Sequence, residues 1–247
     1  HMLKVFWLKV LAVLLFLVIT NSSYASQNKD SGFYISPKLI VAHSSLRNGQ
    51  VKGSYQEPLI LYSDQNHDKN DNNTSDIVGG ALLSLGYYND NWRAELSYSY
   101  RYRFDLNGDV GEPDPNEYHN HNNLPGRFRL DINTQSVRFD LYYSILALQT
   151  ESLKPFVGVS IESLQHNILA KVRNAYNYTE ENTDSSSVSL GFGVGTEVIW
   201  TKNMNFTISL QYIDLGDINI GPQSDNAYFS SDSFDTLDLM FGVNYYF

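Results

Sequence analysis

Apolar and polar positions alternate with a period of two along most of the chain. The clearest stretch is 92–105, WRAELSYSYRYRFD. Trp92, Ala94, Leu96, Tyr98, Tyr100, Tyr102 and Phe104 fall on one side, and Arg93, Glu95, Ser97, Ser99, Arg101, Arg103 and Asp105 on the other. A helix would scatter both sets around its surface, so this spacing predicts a strand. The same pattern recurs at 33–42, 77–88, 136–145, 156–164, 188–200, 206–212 and 237–247, which makes eight strands. Between them, long connections (47–75, 106–131, 165–187 and 216–233) alternate with short ones (89–91, 147–154 and 201–205). The long ones are rich in Asn, Asp, Ser and Gly. Long and short turns at opposite ends are the mark of an up-and-down barrel that crosses a membrane.

The alternation alone leaves two barrels open, one with its apolar face outward in lipid and one with it inward around a ligand. Aromatic placement favours the first. Trp92, Tyr88, Tyr143, Phe156, Trp200, Phe206, Tyr245 and Phe247 fall near the short-turn ends, at the level expected of an aromatic girdle. The expected fold is therefore all-β: an eight-stranded antiparallel up-and-down transmembrane β-barrel. Leu96, Tyr98, Phe139, Leu141, Leu210 and Phe241 are expected to face lipid.

Residues 1–25 read as a signal peptide. Lys4 and Lys9 precede an apolar run at 10–19, too short to span a bilayer as a helix, and Ser23 and Ala25 suit cleavage after Ala25. His1 stands before Met2 and reads as an added residue. Residues 26–247 form the barrel with its four long surface loops. The chain has no Cys and a net charge of −10, which becomes −12 without the two signal lysines. Disulfides and thiolate metal sites are excluded, and the acidic balance argues against nucleic acid as a partner.

Several stretches resemble the small eight-stranded outer-membrane barrels of the opacity-type, surface-antigen and OmpA-like kind: SGFYISPKLIVAHSS (31–45), LKPFVGVSIES (153–163) and GFGVGTEVIWTKNMNFTISLQYIDLGDI (191–218). Phe241, Val243, Tyr245 and the terminal Phe247 look like the C-terminal signature of bacterial outer-membrane proteins. The resemblance implies a place in the bacterial outer membrane, recognition by the barrel-assembly machinery, and contact with outer-membrane lipid and lipopolysaccharide. For some members it implies adhesion or host contact, and for others a structural role.

Candidate chemistry lies inside and at the loop end. Lys38, Arg93, Arg101, Arg103 and Arg138 share the inward set with Glu95, Asp140, Glu162, Glu197 and Asp238. Five bases against five acids fit a plug of ion pairs better than a pore, because eight strands enclose room only for side chains. Asp105, Asn107 and Asp109 begin a calcium-loop spacing, but the glycine is misplaced and the twelfth position is Asn116, so no metal or cofactor is expected. No motif supports a catalytic triad, and no enzyme activity is expected. Tyr55, Tyr62, Tyr118, Tyr176, Tyr178, Tyr228 and Phe229 sit among Asn and Ser in the long connections, a composition suited to recognition. The expected function is surface contact or adhesion through the loops, to a neutral or basic protein partner. A structural envelope barrel or a narrow channel is the alternative.

Overall fold

The computed structural model describes residues 31–48, 50–52, 59–63, 74–111, 126–174, 178–220 and 228–247. Ten strands are present: β1 (Ser31–Arg47), β2 (Gln50–Lys52), β3 (Leu59–Ser63), β4 (Thr74–Asn89), β5 (Trp92–Gly111), β6 (Gly126–Ser144), β7 (Leu153–Asn174), β8 (Tyr178–Ile199), β9 (Met204–Ile220) and β10 (Tyr228–Tyr246). They build eight staves. β2 pairs with β10, as β1 does, and β3 pairs with β5, as β4 does, so the two short strands continue the first two staves outward. Every pairing is antiparallel, and β1 closes the barrel against β10 from Tyr34↔Tyr246 to Arg47↔Ser233. At the β4–β5 hairpin, Asp90 takes the left-handed conformation (φ 50) that a tight hairpin requires. The β6–β7 connection holds a single 3-10 turn, Leu146–Leu148.

The outward row is apolar over a belt. Leu96, Tyr98, Phe139, Leu141, Leu210 and Phe241 are all exposed on it, as the alternation predicts. On β7 the belt covers residues 153–161. At about 3.3 Å per residue and a tilt near 40° this is about 20 Å of height, close to an outer-membrane apolar band. Trp92, Tyr143, Trp200, Phe206 and Tyr245 mark its lower edge, with Trp92–Tyr143 and Trp200–Phe206 ring centroids 4.8 and 5.0 Å apart. Two girdle residues belong elsewhere. Phe156 is buried inside the barrel, and Tyr88 lies on the inward register against Tyr246. Both have the parity of the lumen rather than of the belt.

Above the belt the chemistry of the two faces exchanges while the geometry continues. On β7, Val157, Val159 and Ile161 point out, and the same row then becomes Ser163, Gln165 and Asn167. The inward row changes from Gly158, Ser160 and Glu162 to Leu164, Ile168 and Ala170. β6 repeats the exchange, from Phe139 and Leu141 outside to Leu130 and Ile132 inside. Lipid wets the wall below this plane and water wets it above, so each segment turns its apolar row away from water.

Two of the predicted long connections, 165–187 and 216–233, are therefore mostly strand, and strand runs into both ends of the other two. β7 and β8 remain paired to Arg173↔Tyr178, β5 and β6 to Val110↔Gly126, and β9 and β10 to Phe229↔Ile220. These stretches read as loops because their outward row is as polar as a loop.

Inward glycines make room for rings. A Cβ on Gly86 would collide with the Tyr34 ring, one on Gly158 with Tyr142 and one on Gly195 with Phe156. Gly158→Val will therefore force the Tyr142 ring out of its rotamer. The expected loss is about 1–3 kcal/mol of stability, read as a lower urea midpoint for unfolding from lipid vesicles. Gly79, which has only Tyr102 within ordinary contact distance, serves as the tolerant control.

Candidate functional site

The lumen is filled in layers. At the turn end, Arg93 pairs with Glu197 and Lys38 with Glu95. The Tyr34 hydroxyl donates to Glu95 at 2.8 Å and the Tyr246 hydroxyl to Glu197 at 2.7 Å. The Arg93 guanidinium lies 4.5 Å from the centroid of Phe156 and 5.2 Å from that of Tyr142, so aromatic faces cover its sides. The inward position of Phe156 thus has a purpose that the girdle reading missed.

In the middle layer, Arg101 bridges two acids, Asp238 at 2.7 Å and Glu162 at 3.2 Å. Arg138 is fully buried and pairs with Asp140 at 2.8 Å. Neutral groups complete the set: Thr236 donates to Asp238 at 2.7 Å, Ser136 donates to Glu162, and Gln211 donates to Ser160 at 2.8 Å. Charges this far from water are tolerable only when paired and hydrogen-bonded.

Nine of the ten sequence-predicted network residues are here: Lys38, Arg93, Glu95, Arg101, Arg138, Asp140, Glu162, Glu197 and Asp238. Arg103 is not. Between the Arg101↔Thr134 and Phe104↔Ile132 pairs, two residues of β5 (Tyr102 and Arg103) stand opposite one of β6 (Asn133), and this bulge swings Tyr102 and Arg103 outward together while Phe104 turns in. The Arg103 side chain is 44% exposed and pairs with Asp105 at 2.7 Å and Asp131 at 3.1 Å. Arg129 bridges the same two acids at 3.1 and 3.2 Å. Asp105 and Asp131 face each other across the β5–β6 ladder, and the flanking arginines neutralise that like-charge pair.

Above the charges sits an apolar plug that sequence reasoning did not find. Leu46, Phe104, Leu130, Ile132, Ile168, Leu215, Ile218 and Phe234 are all buried in it, with the Phe104 and Phe234 rings 5.3 Å apart. The exchange of polarity along 156–170 was the available signal. His166 enters the plug, its ring 6.0 Å from Phe234, and its Nδ1 meets the Thr134 hydroxyl at 2.9 Å. It lies above the belt, where burial pushes the imidazole down to about 4, so it is neutral at ordinary pH. The Ser187 hydroxyl is 3.5 Å from Nε2 but donates to the Leu215 carbonyl at 3.1 Å. This histidine meets two hydroxyls and the Leu215 backbone, and the serine is already committed elsewhere, an arrangement unlike an activated nucleophile. Among the described residues no group of three or more His, Asp or Glu could hold a metal.

Of the candidate recognition aromatics, Tyr55, Tyr118 and Tyr176 lie outside the described residues. Tyr62, Tyr178, Tyr228 and Phe229 belong to β3, β8 and β10, with their side chains outside what is described. Phe241 and Tyr245 face outward on the last stave, with Val243 half-buried between them, and Phe247 donates its backbone N–H to the Phe33 carbonyl at 3.1 Å.

A closed eight-stave wall, an apolar outer belt and a paired polar lumen define a membrane β-barrel. The chain belongs to the outer membrane protein beta-barrel domain family, whose profile matches residues 11–247. Among solved structures it is similar to Neisserial surface protein A (16% identity, covering 88% of this chain and 99% of that one, TM-score 0.46). It is also similar to OprG from Pseudomonas aeruginosa (13%, 87% and 96%, TM-score 0.48). A third is Ail, the attachment invasion locus protein of Yersinia pestis, in complex with the heparin analogue sucrose octasulfate (15%, 87% and 99%, TM-score 0.36). No curated protein matches the chain in sequence.

Proposed function

We propose that this barrel is a surface protein of the bacterial outer membrane that acts through its outward extension, in adhesion or contact with a host or neighbouring surface. The observation that carries this reading is the doubly filled lumen. Transport would have to pass a buried ion-pair layer and then a buried apolar plug, so the working surface is the wall that stands above the belt. That wall is polar outside and held by ladders, a rigid platform for recognition. Lipid around the belt, lipopolysaccharide around its upper edge and the assembly machinery at the Phe241, Val243, Tyr245 and Phe247 row are the partners this placement suits.

Two measurements test the reading. Purified, folded barrel in planar bilayers is expected to give no steady unitary currents; large stable openings would favour the channel instead. Cells displaying the barrel are expected to bind host cells or matrix proteins. That binding should fall at least tenfold when 112–125 and 221–227 are replaced by short turns and folding is confirmed by heat-modifiable gel mobility. Shortening only these residues leaves the β5–β6 and β9–β10 ladders intact.

A further inference from the structure

We propose that the free edge of β8 above the apolar belt is a docking site for an extended, basic polypeptide segment of another protein, bound by strand addition. β8 pairs with β7 along its whole length, with no register shift. On its other side it pairs with β9 only from Gly191↔Ile213 to Ile199↔Asn205. From Tyr178 to Leu190, no described strand pairs with that edge. β9 departs where Gly216 takes a left-handed conformation (φ 81) and the β9–β10 register shifts at Phe234. The carbonyls of Asp214 and Leu215 accept the hydroxyls of Ser189 and Ser187 instead of β8 amides. β8 and β9 are thus bridged at Ser187 and Ser189 by side chains alone, and farther out no described strand pairs with the β8 edge.

An unpaired edge is a template for another strand, and proteins blunt such edges with lysine, proline or bulges. Residues 178–190, YTEENTDSSSVSL, contain no lysine and no proline. Strand addition draws affinity from main-chain hydrogen bonds and specificity from the side chains alongside. Here those are acidic. Asp184 on β8 and Asp214 and Asp217 on β9 are exposed, and Glu180, at 3.4 Å from Lys171, adds a fourth carboxylate. A second copy of the chain would set the same acids against themselves, which disfavours self-pairing. A segment with lysine or arginine at alternate positions would be both bonded and neutralised.

This inference rests on the surface-contact reading but is tested separately. The barrel is refolded in detergent micelles, and backbone amide hydrogen exchange is followed with and without a decapeptide of alternating Lys and Thr. In the free protein, alternate amides between Tyr178 and Leu190 are expected to exchange freely, while their neighbours bonded to β7 stay protected. The Lys-Thr peptide should slow the free set at least tenfold, and a Glu-Thr peptide should not. A D184K/D217K variant that keeps its heat-modifiable mobility should lose the slowing. Protection of every amide without peptide would overturn the proposal. If that protection were independent of protein concentration, the chain would be covering its own edge; if it rose with concentration, a second copy would be the occupant. Slowing that survives in the lysine variant would overturn it as well. Should the intact barrel bind cells while the edge amides ignore the peptide, surface contact stands and the edge falls; should the edge bind peptide while no surface binds the barrel, the reverse holds.

Discussion

Replacing Arg101 by leucine is expected to destabilise the barrel by about 3–5 kcal/mol, the cost of leaving buried charge without its partner. Arg101 bridges Glu162 and Asp238, and both carboxylates lie deep in the lumen. The loss is read as a fall in the urea midpoint for unfolding from lipid vesicles. The diagnostic is the triple variant Arg101→Leu, Glu162→Gln, Asp238→Asn, which removes the charge along with the cation and should recover more than half of the lost stability. If the single and triple variants unfold alike, the penalty is packing and not charge. Arg103→Leu is the contrast. Its pairs to Asp105 and Asp131 are exposed and screened by solvent, so the urea midpoint should scarcely move.

Acidification should weaken the outer half through His166. Its pKa is about 4 in the barrel, against about 6.5 in an unfolded chain. The depressed base binds fewer protons when folded. Its neutral form is at no disadvantage above pH 6.5, and stability falls progressively as pH drops from 6.5 to about 4. Two and a half units correspond to about 3 kcal/mol at the bottom of that window. His166→Asn keeps a polar side chain beside Thr134 and removes the titration. The difference in unfolding free energy between the two proteins should therefore narrow, or reverse in favour of the variant, between pH 7 and pH 4. A constant difference would show that His166 titrates alike in the folded and unfolded chain, as an imidazole reached by water would. The comparison with the variant, rather than the slope of either protein, carries the test.

The transmembrane half was legible in the sequence because lipid imposes one rule on every stave: outward residues must be apolar. Strand number, antiparallel order and the outward positions of Leu96, Phe139, Leu210 and Phe241 all follow from that rule. So do nine of the ten charges predicted for the lumen, from its complement. The outer half was not legible in the same way. Where water wets the wall, Ser163, Gln165 and Asn167 look like loop residues, although they are the outer row of a ladder that runs on to Asn174. The plug was hidden with them, since Leu164 and Ile168 seem isolated until the strand beneath them is recognised. Arg103 could not be placed by counting, because alternation carries no sign of the extra residue in the β5 bulge. The open side of β8 is a matter of pairing partners, which a single strand's sequence does not encode.

The exchange of apolar and polar rows also has a consequence for how the barrel reaches its place. The residues that end above the bilayer must first pass through it. On β6 and β7 the outer row just above the belt is Asn133 and Gln135, and Ser163, Gln165 and Asn167, uncharged in every case. The charged members, Asp131 and Lys171, come only farther out. A neutral amide or hydroxyl costs less to carry through hydrocarbon than an ion does. On these two staves the leading tip therefore sets the crossing barrier, and once it is through, the rest of the stave follows against falling resistance. Insertion should behave as a ratchet, slow to start and hard to reverse, with its rate governed by how thin the bilayer becomes at the point of entry.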